Sequence, residues 1–178
     1  VLQSNEGKSG STTGGTLERS LVNRAVSSDG GEEFTWNVGY SSTQVNVLDP
    51  EITTQITRIQ TSLDPDDVLK FEMQPHITAR YGLHTQDPKD VEDIIKSVGR
   101  VGVSFGRISL FENEEQDVLK VDIHSPQLED LNRRLDQLPN TQTHQEYQPY
   151  MTIAYLKAGT GKKYTVMQFV EDRTIWFD

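Results

Sequence analysis

The chain has no cysteine among its 178 residues. Disulfides and thiolate metal sites are therefore excluded. It has four histidines, His76, His84, His124 and His144, and none stands three or four positions from another. The helical ligand pairs of a zinc site are absent, and no metal or cofactor is expected. No apolar run reaches the roughly 20 residues of a membrane span, and there is no signal-peptide pattern. Positive charge is also scarce. Seventeen Lys and Arg stand against 27 Asp and Glu, for a net charge of -10. Such a surface does not bind duplex nucleic acid broadly, because that binding depends on neutralising many phosphates. A small phosphorylated ligand in a local pocket remains compatible with it.

The length fits one domain with a tail. Residues 1–35 are rich in Gly, Ser and Thr and bury little apolar surface, so they are expected to form a flexible linker, with a short helix possible over 17–25. The folded domain is expected over 36–178. The chain starts at Val1, not Met, and is read as a piece of a longer protein or a processed product.

From Gln44 onward, strand and helix signals alternate. Gln44–Leu48 has strand character. Asp49-Pro50 supplies an N-cap and a proline at the first helical position. Ile52, Ile56, Ile59 and Leu63 then share one helical face. Asp87-Pro88 opens a second helix with Val91, Ile94, Ile95 and Val98 inward. Residues 101–106 and 108–111 read as one or two strands, and 117–123 as another. Ser125-Pro126 caps a third helix carrying Leu128, Leu131, Leu135 and Leu138.

One segment repeats. Pro75-His76-Ile77-Thr78-Ala79-Arg80-Tyr81 returns as Pro149-Tyr150-Met151-Thr152-Ile153-Ala154-Tyr155, at an offset of 150 − 76 = 74. The strand at 43–48, moved by the same 74, lands on 117–122. The helix caps at Asp49 and Ser125 are 125 − 49 = 76 apart. The unit strand–helix–motif strand therefore occurs twice. The expected fold is α+β and bilobal: two duplicated strand–helix–strand lobes about a pseudo-twofold axis, with a central cleft. Residues i and i+2 of a strand share a face, so His76 with Thr78, and Tyr150 with Thr152, point the same way.

This duplicated His-x-Thr pattern, worn to Tyr-x-Thr in its second copy, resembles the two-histidine (2H, LigT-like) phosphoesterase superfamily over roughly residues 38–167. The sequences around His76 and Tyr150 look like its phage and prophage branch, which is similar to phage anti-CBASS nucleases acting on cyclic oligonucleotide defence signals. The resemblance implies a metal-independent phosphodiesterase for cyclic oligonucleotides or short RNA-like phosphodiesters. It also implies immune evasion as a role, and a place in the infected bacterial host's cytoplasm, or in the virion if fused to a structural protein. One histidine takes a proton from the attacking group and the other gives one to the leaving oxygen, while the threonines bind phosphate oxygens. His76, Thr78 and Thr152 carry over. Tyr150 departs from the pattern, whether naturally or as an inactivating change. A phenol with an ordinary pKa near 10 donates a proton but is a poor base, so activity is expected to be impaired. The alternatives are a non-catalytic module that sequesters a nucleotide and a virion-associated structural domain.

Each residue also has a plainer reading. Thr78 and Thr152 favour strands anyway. Tyr150 either joins the site or merely fills it. Tyr81 and Tyr155 read as core. Arg80 and Lys120 could reach a phosphate but read as solvated surface. Trp36 and Tyr40 could stack a base or pack. His84, His124 and His144 read as surface, Glu112–Asp117 as a solvated acidic loop, and Gly159–Lys163 as a turn, because it lacks a full phosphate-loop spacing.

Overall fold

The computed structural model describes residues 17–21, 41–85, 87–141, 146–170 and 173–177. The expected site residues Trp36 and Tyr40, and His144, lie outside them. The elements run β1 (Leu17–Leu21), β2 (Ser41–Asn46), α1 (Pro50–Ser62), β3 (Val68–Phe71), β4 (His76–Leu83), α2 (Lys89–Val98), β5 (Val101–Glu112), β6 (Gln116–His124), α3 (Pro126–Leu135), β7 (Tyr150–Lys157) and β8 (Thr174–Phe177), with a short 3₁₀ turn at Gly161–Tyr164. All strands join one curled antiparallel sheet in the order β1-β2-β4-β7-β6-β5-β8, with β3 also on β7.

Helices α1 and α3 begin where their caps require. The Asp49 carboxylate accepts the N–H groups of Glu51 and Ile52, and the Ser125 hydroxyl oxygen accepts that of Leu128. Ile52, Ile56 and Ile59 of α1 and Leu128, Leu131 and Leu135 of α3 are buried against the sheet. They meet Val45, Ile77, Leu119, Val121, Met151 and Ile153, which are all fully buried. One sheet face is thus covered by helices, and this α+β duplication is the bilobal two-motif fold.

The two lobes match in detail. The Val47 N–H donates to the Pro75 carbonyl at 2.8 Å, and the Ile123 N–H to the Pro149 carbonyl at 3.1 Å. The donors are 123 − 47 = 76 apart and the acceptors 149 − 75 = 74. The first strand of each unit therefore keeps the spacing of the helix caps, not of the motif, which corrects the offset of 74 expected for it. Each helix also straps the other lobe. Gln60 Nε2 of α1 donates to the Ile153 carbonyl of β7 at 2.9 Å, and Asn132 Nδ2 of α3 to the Ala79 carbonyl of β4 at 2.6 Å. Ile153 and Ala79 are themselves symmetry mates, at 153 − 79 = 74.

Several expectations change. Leu17–Leu21 is a strand antiparallel to β2, not part of a helix. A short isolated helix is costly to nucleate, whereas the edge of β2 offers a ready row of backbone partners. Residues 101–112 form one strand. Asp117 is buried, not solvated, and its Oδ2 accepts the Gly161 N–H at 2.8 Å. Strands β3 and β8, each four residues long, are not among the strands expected from the sequence.

Candidate active site

The sheet face opposite the helices carries the chemistry. Strands β4 and β7 meet at one pair, Ile77 opposite Met151. In an antiparallel ladder, one step along each strand sets His76 beside Thr152 and Thr78 beside Tyr150. Ile77 and Met151 are fully buried on the helix side, so these four neighbours share the opposite, open face. The pseudo-twofold axis runs through the Ile77–Met151 pair, and it relates His76 to Tyr150 and Thr78 to Thr152.

Two β-bulges then alter the alternation. Gln44 pairs with Thr78 but Thr43 with Arg80; Lys120 pairs with Thr152 but Leu119 with Ala154. Just after each motif the strand carries one extra residue, Ala79 in the first and Ile153 in the second, and β4 shifts once more between its pairs with Thr43 and Ser41. A bulge moves everything beyond it to the other face. Arg80 therefore lies on the helix side, 5% exposed. Its guanidinium donates to Asp136 and to the Asn132 and Asn140 side chains. The reading of Arg80 as surface is corrected, and the structure does not bring it to the open face. Tyr155, read as core, instead lies half-buried on the open face. Tyr81, also half-buried, follows the matching bulge.

His76 opens β4. Its Nδ1 lies 2.8 Å from the Gln74 carbonyl oxygen. A carbonyl only accepts, so Nδ1 carries a proton, and the neutral ring keeps its lone pair on Nε2. The Thr78 carbonyl accepts from the Tyr147 hydroxyl at 2.9 Å. Tyr150 is 36% exposed, and Thr152 is buried. Burial, reinforced by Tyr155, pushes the Tyr150 phenol above its ordinary value of 10.0.

Behind each motif strand stands a polar pair. In the first lobe, Gln44 Nε2 donates to Asn46 Oδ1 at 2.8 Å, and Asn46 pairs across the strands with His76. In the second lobe, Lys120 Nζ donates to Asp122 Oδ1 at 2.6 Å, and Asp122 pairs with Tyr150. The correspondence is 120 − 44 = 76 and 122 − 46 = 76. Lys120 is 7% exposed, which corrects its reading as solvated surface. Its Nζ also donates to Ser109 Oγ at 2.7 Å, and that hydroxyl donates to Asp122 at 2.5 Å. Arg107 approaches the other Asp122 oxygen at 3.7 Å. Burial raises the Asp122 carboxyl, but Lys120, Ser109 and Arg107 together outweigh it and hold the group below its ordinary value.

Asn46, Asp122, Ser109 and Phe111 escaped the sequence reading. The 76-residue spacing of the helix caps, applied to the preceding strands, is the signal that would have paired Gln44–Asn46 with Lys120–Asp122. His84 and His124 are exposed; His124 follows Asp122 by two residues on β6 and so shares its side of the sheet. Among the described residues, no group of three or more His, Cys, Asp or Glu stands close enough to hold a metal ion, and no helix is long and apolar enough to cross a membrane. Depressions of about 460 and 520 Å³ lie elsewhere, one along Thr53, Thr57 and Thr61 of α1 and one beside Glu112 and Glu114. The candidate site is an open sheet face, not a closed cavity.

Two matched lobes, with a His-x-Thr and its altered copy about the axis between them, define a phosphoesterase of the two-motif class. Residues 48–174 match the model of the 2'-5' RNA ligase superfamily, and the chain belongs to that superfamily, the LigT-like 2H phosphoesterases. Its members' chemistry is the processing of phosphodiesters. No curated protein and no solved structure matches the chain.

Proposed function

We propose that this chain is a metal-independent phosphodiesterase acting on a cyclic oligonucleotide or a short RNA-like phosphodiester, in the manner of phage enzymes that remove nucleotide defence signals. His76 Nε2 takes the proton of the attacking water or hydroxyl. The new P–O bond forms as the bond to the leaving oxygen breaks, and the Tyr150 phenol gives that oxygen its proton. The Thr78 and Thr152 hydroxyls donate to the non-bridging oxygens. Because the phenol is held protonated, proton flow runs one way, from the His76 side to the Tyr150 side, and turnover is slower than at a site with two histidines.

The observation that carries this reading is the Ile77–Met151 pairing, which gathers both motifs about one axis on one face. The test is hydrolysis of a panel of cyclic di- and trinucleotides by the chain and by His76→Ala. Cleavage that His76→Ala abolishes supports the reading. Binding without turnover in both replaces it with nucleotide sequestration, a role favoured by the poor basicity of Tyr150. Neither binding nor turnover leaves a structural role, as in a virion.

A further inference from the structure

Tyr150 stands in a prepared setting. Its ring meets Phe111 edge-on, with centroids 5.0 Å apart at 85°. The Lys120 ammonium lies 4.4 Å from the Phe111 centroid and 5.6 Å from that of Tyr150. Asp122 and Ser109 fix that ammonium with hydrogen bonds of 2.6 and 2.7 Å, and the lysine is almost fully buried. The first lobe has only the neutral Gln44–Asn46 pair at the corresponding positions. The lobe that carries tyrosine in place of histidine thus also carries a cation in place of an amide.

We propose that Lys120 is the positioning residue of Tyr150: its ammonium, anchored by Asp122 and Ser109 beside the two rings, holds the phenol on the open face and stabilises the negative charge that builds on its oxygen as the proton leaves. A cation beside an aromatic face is attractive, and a fixed positive charge favours the ionised form of an acid near it. The same ammonium would oppose protonation of an imidazole at position 150. Tyrosine and lysine therefore suit each other here, as histidine suits the amide pair in the first lobe. The charged and titratable groups on the strands about Tyr150 are Lys120, Asp122 and His124 on β6, Arg107 on β5, His76 on β4, and Tyr147 and Tyr155 along its own chain segment. Lys120 is the cation among them in contact range of the ring. The catalytic consequence rests on the function proposed above; the electrostatic one does not.

The test follows the Tyr150 phenol by NMR in the full chain labelled at the tyrosine ring carbon, with Tyr150→Phe assigning the signal. Lys120→Gln is expected to raise the Tyr150 titration midpoint by about one pH unit, and Lys120→Arg to leave it near the native value. Lys120→Gln/Asp122→Asn recreates the amide pair that the first lobe already accommodates, so it keeps a folded form available; its midpoint rises too, by less, because a carboxylate leaves with the ammonium. Where substrate turnover is measurable, Lys120→Gln lowers kcat about 10-fold or more with little change in KM, and Lys120→Arg restores it. An unchanged midpoint in both folded glutamine variants overturns the proposal. Absence of turnover in every variant counts against the phosphodiesterase reading alone, since the titration still decides the role of Lys120.

Discussion

Ile77 of β4 and Met151 of β7 face each other as the single cross-strand pair joining the two motif strands, and both are completely buried. The lobes meet at this pair, so its packing sets the separation of His76, Thr78, Tyr150 and Thr152. Ile77→Ala and Met151→Ala are each expected to cost about 2–5 kcal/mol, as large-to-small core changes do. Because the two side chains are paired, the double variant should depart from additivity by more than about 0.5 kcal/mol. Urea unfolding of the four proteins measures both quantities.

Proton transfer depends on groups held in different ways. His76→Ala removes the imidazole of the first motif and should lower turnover by about 10²–10⁴-fold. Tyr150→Phe keeps the ring contacts with Phe111 and Lys120 and removes the acid alone. A similar loss in kcat with unchanged thermal stability is the expected result. Since burial raises the phenol above 10.0, Tyr150 remains protonated throughout the neutral range. A pH–rate profile should therefore show no loss of this acid across the neutral range.

Arg80 holds the end of α3 to the sheet. The guanidinium is buried, while its partner Asp136 is half-exposed. Arg80→Met should cost about 2–3 kcal/mol, below the full cost of breaking a wholly buried pair. Arg80→Lys should recover little, because an ammonium cannot span Asn132, Asp136 and Asn140 as a planar fork does. Thermal melts separate the two variants from the native chain.

Acid should weaken the fold through Asp122. Its folded pKa lies below the unfolded value of about 3.8, so its contribution is fully present above the unfolded value. That contribution is lost as pH falls from there through the folded value. Asp122→Asn should flatten this part of the stability curve. The effect is modest, because the carboxylate is 40% exposed and water screens it. Chemical denaturation at intervals between pH 5 and about pH 2 would record it.

Gly82 has φ near +79°, and a Cβ built there would sit 2.2 Å from the Thr141 carbonyl oxygen. Gly82→Ala combines left-handed strain with this overlap, so a loss of at least about 2 kcal/mol is expected. A melt that moves by less than the fitting error would contradict it.

Much of this was readable in the chain. The caps at Asp49-Pro50 and Ser125-Pro126, the apolar faces of three helices and the matched heptapeptides are local signals, and local physics places them correctly. The alternation of His76 with Thr78, and of Tyr150 with Thr152, is likewise a property of any strand. The 76-residue spacing lay in the caps, but nothing local extended it to Gln44–Asn46 and Lys120–Asp122, because strand register is set by the partner strand. Nor do four-residue strands such as β3 and β8 announce themselves, since their pairing energy comes from neighbours distant in sequence.

The sequence by itself determined a duplicated α+β unit and the identity of the groups at its two motifs, because periodicity, capping and repetition are written along the chain. The tertiary structure alone decided which groups share the open face. One extra residue just after each motif sends Arg80 inward to α3 and turns Tyr155 to the open face, and pairing across β5, β6 and β7 brings Phe111, Lys120 and Asp122 beneath Tyr150. A bulge exists only relative to the strand it is paired with, so that decision could be made only once the sheet had formed.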